Sequence, residues 1–361
     1  MQVVVYTDSA GIGGAEISLS HLVANVSDQI EVTVMGRSEL VVEAIAQARA
    51  TKLVLPNNSL LTHLAALLRL RPDVVHINLC TPWAGATGLA AALMLPGARV
   101  VRVDQLPLRT TDLFTWWRTR VISLRVDAHV AVGAASARLM EDFYALGRHT
   151  VLCIPNCVPD VTDAPQPSVQ LEAKLTIGSI GRLNAMKGHD LLLRAIASVD
   201  NVQLVILGEG EERAALEQLA VDLGISDRVK LLGWVENPRA YLPKFDLVAQ
   251  PSRSEGFPLA IVEAMLAARP VVATRVGSVA EAVIDGETGF LVEKNDLTGL
   301  VGALRKLRDD TDLRLRFGQT GREVAKNNFT VKQMIFRYER LWYELLEQPQ
   351  VPRFFVPRPQ D

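Results

Sequence analysis

The sequence predicts an α/β protein made of two doubly wound domains, each a parallel sheet wrapped by helices. Three observations lead there. Short, nearly continuous apolar runs alternate with helix-period segments along most of the 361 residues, and strands that are apolar at every position are those buried on both faces. The alternation runs twice, broken at 158–172 by a stretch with three Pro and little periodicity that reads as a linker. The length also suits two domains of ~100–200 residues each.

The elements follow in order. Met1-Gln2-Val3-Val4-Val5-Tyr6 opens the fold as its first strand, and the first-half strands are expected at 2–6, 31–35, 52–55, 73–77, 99–103 and 128–132. Helices fit between and after them at 14–26, 39–50, 59–70, 84–95, 113–124 and 134–146. In the second half, strands are expected at 175–180, 202–207, 229–232, 246–250, 271–274 and 290–292, with helices at 189–199, 211–223, 238–243, 258–268 and 279–284. A last helix over about 330–347 carries Met334, Ile335, Tyr338, Leu341, Trp342 and Leu345, an amphipathic stripe. The expected organisation is a domain at 1–157, a linker at 158–172, a domain at 173–329, a helix at 330–348 and a tail at 349–361, whose four Pro predict poor order.

Composition removes several classes of function. A net charge of -2 gives no global case for nucleic acid. The most apolar stretch, Ala84 to Leu95, stops at Pro96-Gly97 and falls short of the ~18–20 residues that cross a bilayer. The start lacks the basic region of a signal peptide. Cys80, Cys153 and Cys157 form neither a metal-ligand set nor a disulfide framework. They are expected to be reduced thiols of a cytoplasmic protein.

Residues 250–264, Gln-Pro-Ser-Arg-Ser-Glu-Gly-Phe-Pro-Leu-Ala-Ile-Val-Glu-Ala, carry the strongest chemical signal. They follow the apolar strand Phe245–Gln250. Gly256 permits close backbone approach to a ligand, and Pro258 suits the first turn of a helix. Strand, loop and helix start aim unpaired N–H groups at an anion. Glu255 and Glu263, eight residues apart, would repel phosphate unless they hold something else. Sugar hydroxyls fit, because a carboxylate accepts more than one. Taken alone, the segment also reads as an ordinary loop with a surface glutamate.

Other motifs also follow strands, where open α/β sheets bind ligands. Gly181-Arg182-Leu183-Asn184-Ala185-Met186-Lys187-Gly188 sets two cations in one loop. Arg grips phosphate in bidentate fashion and Lys adds a mobile charge. Leu207-Gly208-Glu209-Gly210 is a tight turn whose backbone can border a ligand, and the main chain at Trp234-Val235 could meet a nucleobase, unless Trp234 is core. Gly11, Gly13 and Gly14 open the first helix, but Glu16 stands where a dinucleotide fingerprint needs its third Gly. A Gly-rich lip over phosphate or acceptor is the expectation there. Asp310-Thr311-Asp312 is expected on a solvated helical face.

Together these residues resemble the retaining, GT-B type glycosyltransferases of family 4, also called the glycosyltransferase group 1 family. The resemblance covers nearly the whole chain and is strongest over about 176–293. Its pieces are Gly181-Arg182-Leu183 with Lys187-Gly188, Leu207-Gly208-Glu209-Gly210, Pro251-Ser252, Glu255-Gly256-Phe257-Pro258 and Glu263-Ala264-Met265. Pro270-Val271-Val272-Ala273, Val276-Gly277-Ser278 with Glu281, and Asp285-Gly286 with Thr288-Gly289 complete the set. The resemblance implies two Rossmann-like domains facing an interdomain cleft. The first would take the acceptor and the second the nucleotide-sugar, with the last helix crossing back to the first domain. It implies that Arg182 and Lys187 hold the donor diphosphate and that Glu255 lies near the donor sugar. Gly256, Phe257, Pro258 and Leu259 would present backbone beside it, Glu263 would bind ribose hydroxyls, and the Gly-Gly loop would fall on Gly13 and Gly14.

One departure stands out. Family members often carry a His at the end of a first-domain strand, where Val101-Arg102-Val103 is followed here by Asp104. Asp104 is expected to orient an acceptor hydroxyl or the sugar, or to mark weakened catalysis. His76 is expected to be structural or to line the cleft. Ala268 and Ser278 replace a usual Gly.

The implied reaction moves a sugar from a nucleoside-diphosphate donor, UDP or GDP, to a hydroxyl with retention of configuration. The acceptor would be a saccharide, a lipid-linked compound or a small molecule. Cell-envelope polysaccharide, glycolipid or glycoconjugate synthesis is the expected setting. No metal or other cofactor is expected, because protein cations neutralise the leaving group. Six arginines over 99–125, with Trp116 and Trp117, suggest peripheral contact with the inner face of a membrane; a helix with its Trp buried is the other reading. A sugar-nucleotide epimerase and a non-catalytic sugar-nucleotide-binding subunit are the competing functions.

Overall fold

The computed structural model describes residues 1–160 and 175–352. Most of the expected linker and of the expected tail therefore lie outside the described residues. The chain divides into two units, one of Met1–Cys157 with the chain from Val331 onward, the other of Val158–Thr330.

The first unit alternates strand and helix: β1 Gln2–Thr7, α1 Gly14–Asn25, β2 Glu31–Gly36, α2 Glu39–Ala46, β3 Thr51–Val54, α3 Leu60–Leu70 and β4 Val74–Leu79. It continues with α4 Ala86–Leu93, β5 Arg99–Asp104, α5 Leu113–Ser123, β6 Ala128–Ala131, α6 Ala134–Phe143 and β7 Val151–Cys153. The sheet is wholly parallel in the order β3-β2-β1-β4-β5-β6-β7. Every residue of β4 and β6 is buried, as strands covered on both faces require. Side-chain caps start several helices. Ser59 accepts from Thr62 N at 3.1 Å and Asp112 from Thr115 N at 2.8 Å, each satisfying an N–H with no intrahelical partner.

The second unit contains β8 Leu175–Ile180, α7 His189–Ala197, β9 Val202–Leu207, α8 Arg213–Asp222, β10 Val229–Gly233 and β11 Leu247–Gln250. α9 Leu259–Leu266, β12 Val271–Thr274, α10 Val279–Ala282, β13 Gly289–Val292, α11 Leu297–Asp309 and α12 Thr311–Asn328 follow. Its sheet is also parallel, in the order β10-β9-β8-β11-β12-β13. Ile177, Leu192, Ile196, Leu204, Leu247, Val272, Leu300 and Phe317 belong to one apolar core between sheet and helices.

The last helix, α13 Val331–Glu347, belongs to the first unit, as the amphipathic stripe and the resemblance led us to expect. Met334, Tyr338, Leu341, Trp342 and Leu345 are buried. The His76 ring lies 5.1 Å from that of Tyr338 and 5.8 Å from that of Trp342, both edge-on. Arg99 donates to the carbonyls of Leu345 and Gln348 at 2.8 and 2.6 Å. His76 is thus structural, and burial pushes its pKa down to about 3.

Several elements differ from expectation. β7 was not predicted, because three residues are too few to show a period. Neither α11 nor α12 was given bounds from the sequence, although Asp310-Thr311-Asp312 does lie exposed at the start of a helix as expected, with Asp310 capping α12 and accepting from Leu313 N at 2.8 Å. The segment Pro238–Lys244 is a 3-10 helix rather than an α-helix, with Pro243 inside it, where proline removes an N–H and blocks the wider turn. Pro258 is the cap of α9 with ψ 99° rather than a residue of its first turn.

Candidate active site

In the second unit, β8 comes first in the chain yet lies inside the sheet, with β9 on one side and β11 on the other. The connections from β8 and β11 therefore leave toward opposite faces and open a crevice at the strand ends. Only Leu247↔Ile177 and Val248↔Gly178 pair between β11 and β8. Beyond them the Gln250 side chain ties the parting strands. It accepts from Ser179 Oγ at 2.7 Å and Ile180 N at 3.3 Å and donates to Ile180 O at 2.8 Å.

The loops after these strands bring Lys187 and Glu255 together. Lys187 Nζ lies 2.6 Å from Glu255 Oε1, and Ser252 Oγ donates to the same oxygen at 2.7 Å. Glu255 retains 10% side-chain exposure and Lys187 25%. Gly181 leaves room for the Lys187 stem, since a Cβ there would sit 3.4 Å from its Cδ and Cε. Arg182 is exposed. Among the described residues its guanidinium has no hydrogen-bond or ion-pair partner. The site thus contains one neutralised cation and one open cation.

Residues not singled out in the sequence hold this loop in place. Arg253 Nη1 and Nη2 bind the two Asp190 oxygens, each at 2.7 Å. Arg253 also donates to Ala185 O at 2.7 Å from its side chain and to Met186 O at 2.6 Å from its backbone. This fork, the strong geometry for a carboxylate, fastens the loop after β11 to the loop after β8. The Thr274 hydroxyl donates to Ser252 O. Gly188, at φ 68°, and Gly277, at φ 51°, are both close approaches, because a Cβ on either would strike the carbonyl of Pro251 or of Glu255. Ser278 N donates to Gly256 O at 3.1 Å.

Gly256, Phe257, Pro258 and Leu259 are buried at the entrance to α9. The Phe257 ring packs 5.2 Å from Phe329. Farther along α9, Glu263 Oε1 accepts from Arg239 Nε at 2.8 Å. Burial raises the Glu263 pKa, with Arg239 pulling it the other way. Gly208 N donates to Gly233 O at 2.8 Å, joining the turns after β9 and β10. Just past that junction Trp234 is 67% exposed, so it is not core, and Val235 is half-buried.

Three predicted residues lie in the first unit. Gly13 caps α1 and Gly14 begins it, both exposed. Glu16 turns back so that its Oε2 accepts from Gly13 N at 2.9 Å. A carboxylate from the helix itself thus occupies the start of α1, which explains the failed dinucleotide fingerprint in physical terms. Asp104 faces no open space: it is 0% exposed and both oxygens are engaged. Arg102 Nε reaches Oδ2 at 2.8 Å and Nη2 reaches Oδ1 at 3.0 Å, while His129 Nε2 lies 2.5 Å from Oδ2. Burial pushes the Asp104 pKa up, but the Arg102 charge and the His129 hydrogen bond outweigh it and hold the carboxyl well below the usual range. The expectation that Asp104 orients an acceptor is therefore corrected: it is a buried structural anion. Sequence contained a signal for this, since Arg102 and Asp104 share one face of a strand.

Comparison with known proteins agrees with this arrangement. The family described as Glycosyltransferase Family 4 matches residues 12–161, and that described as Glycosyl transferases group 1 matches 160–324. The N-acetyl-alpha-D-glucosaminyl L-malate synthase of Bacillus anthracis is 33% identical over 290 residues, 76% of this chain and 75% of that protein. The lipopolysaccharide core biosynthesis glycosyltransferase LpsE of Rhizobium meliloti is 32% identical over 204 residues, 56% of this chain; the match spans only 57% of LpsE. In structure, Anabaena HepE in complex with UDP-glucose superposes with a TM-score of 0.85 at 21% identity, covering 95% of this chain and all of that one. With two parallel sheets of GT-B type and the Bacillus anthracis relative aligned over three quarters of its length, the chain belongs to the group 1, family 4 glycosyltransferases.

Proposed function

We propose that the protein transfers a sugar from a nucleoside-diphosphate sugar to a hydroxyl acceptor with retention of anomeric configuration. The observation that carries this reading is the pairing of Lys187 with Glu255 at the β8/β11 crevice, with Arg182 exposed in the same loop as Lys187 and its guanidinium without a partner among the described residues. Arg182, Lys187 and the opening N–H groups of α9 bind the diphosphate and stabilise its charge as it leaves. Glu255 accepts hydroxyls of the donor sugar, with the backbone of Gly256 and Phe257 alongside. Glu263, steadied by Arg239, accepts ribose hydroxyls, and the turns at Gly208 and Trp234-Val235 border the base. Gly13 and Gly14 form an exposed lip on the first unit.

The bond between the anomeric carbon and the phosphate oxygen breaks, and its electrons stay on that oxygen. The acceptor oxygen attacks from the same face, and its proton passes to the departing phosphate. No protein base is then required, and no metal is assigned. UDP or GDP is the proposed carrier; UDP and UDP-glucose complexes of HepE support the first. The acceptor is a saccharide, lipid-linked compound or small molecule. The name of LpsE supports a cell-envelope acceptor.

The test is a thermal-shift screen of UDP-, GDP- and ADP-sugars, since a ligand that binds only the folded state raises the midpoint. The stabilising donor is then incubated with hydroxyl acceptors, and the anomeric coupling of the product is read by NMR. Retained configuration supports the reading; an inverted product, an epimerised donor, or binding without turnover overturns it.

A further inference from the structure

We propose that the outer face of α5 docks on an anionic lipid surface. Leu113, Phe114, Trp117 and Leu124 on and just beyond this helix are 82%, 66%, 57% and 46% exposed. Leu113, Trp117, Val121 and Leu124 are spaced by four, four and three residues, which puts them on one helical stripe, with Phe114 at its border.

The opposite face of α5 is the packed one, with Ile122 and Trp116 against apolar clusters and two small polar residues buried among them. Thr119 and Ser123 are 3% and 6% exposed. Ser123 Oγ accepts from Arg102 Nη1 at 2.9 Å and donates to Thr119 O at 2.7 Å. Trp116 Nε1 donates to Phe143 O at 2.7 Å. A helix facing water presents its polar side outward; this one packs Ile122 and Trp116 on its inner side and still presents a second apolar stripe outward.

Charge indicates what covers that side. Of the six arginines over 99–125, Arg102 is buried on Asp104 and Arg99 is spent on the carbonyls of Leu345 and Gln348. Arg109, Arg118, Arg120 and Arg125 remain at or near the surface against Asp112, in a chain whose net charge is -2. Arg125 also reaches Pro352 O at 3.3 Å, and Arg109 lies over the Phe143 ring. At 100° per residue Arg120 falls on one side of the apolar stripe and Arg118 on the other. Apolar and aromatic side chains rimmed by arginine match the boundary between headgroups and acyl chains. A second copy of the chain fits less well, because a two-fold contact would face like charge with like charge. Among the described residues no helix is long and apolar enough to cross a membrane, so the contact is a surface one.

The full chain is sedimented with phosphatidylcholine vesicles, with and without phosphatidylglycerol. The expected result is binding to the anionic vesicles alone, weakened by salt. Phe114→Ser with Trp117→Ser, and separately Arg118→Glu with Arg120→Glu, should each lower the partition coefficient at least about tenfold without moving the thermal midpoint. The proposal is overturned if the wild-type protein stays in the supernatant at low salt, or if the aromatic double variant binds as well as wild type. It is also overturned if vesicles do not bind and sedimentation velocity reveals a dimer that the aromatic variant disperses.

Discussion

Lys187 and Glu255 sit 2.6 Å apart, and each neutralises the other. Under the proposed function, a diphosphate entering this loop must compete with the carboxylate for the ammonium. Lys187→Ala is therefore expected to weaken UDP binding at least about tenfold and to lower kcat/KM by roughly 10²–10³. Glu255→Gln releases the ammonium, so UDP binding should hold or tighten while kcat falls. Calorimetry with UDP and initial rates with the full donor separate the two; equal losses of UDP affinity would refute the competition.

Gly277→Ala tests the backbone under Glu255. The new Cβ meets the Glu255 carbonyl, and φ 51° is itself unfavourable for alanine. A strain of about 1–3 kcal/mol is expected, along with a drop in transfer activity larger than that from Gly224→Ala, whose Cβ meets nothing within 4 Å. Melting curves and rates on both variants check this.

Arg102, Asp104 and His129 predict that restoring the residue common in the family will harm the protein. Asp104→His would set an imidazole against Arg102 and His129 with no anion between them, leaving Arg102 buried and unpaired. The expected loss is about 3–5 kcal/mol, read by urea denaturation. Stabilisation by the pair is present above the unfolded carboxylate pKa of ~3.9 and fades as pH falls toward the depressed folded value.

His76 sets a separate acid dependence. Its folded pKa is about 3, against ~6.5 unfolded. Between those values the unfolded chain holds more protons, so stability falls as pH drops. His189, lowered by burial to about 4, adds to the same slope. His76→Phe should flatten the difference in denaturation midpoint between pH 7 and pH 5; an unchanged slope would rule out His76 as the source.

Much of the fold is legible because its strands are buried on both sides and therefore read as plain apolar runs, as in Val202–Leu207. Three-residue β7 has too little pattern to be read. The candidate-site loops are legible because Lys187, Glu255 and their glycines sit in short motifs. Arg253–Asp190 and Arg239–Glu263 are not, because their partners lie 63 and 24 residues apart and meet only through the sheet order. Asp104 was misread for a related reason. Arg102 lies two residues away on the same strand face, but its partner strand supplies His129, which pairs in register with Arg102.

The return of α13 to the first unit governs the order of assembly. Tyr338 and Trp342 close over His76, Glu339 Oε1 accepts from Ser27 N at 2.6 Å, and Gln350 donates to Ala98 O at 2.8 Å. During synthesis these groups emerge only after the whole of Val158–Thr330. The second unit can therefore complete its core while the first, begun earlier, still lacks a wall. A nascent chain stalled between 331 and 347 would carry a finished second unit and an open first sheet, which is the half that needs protection from aggregation.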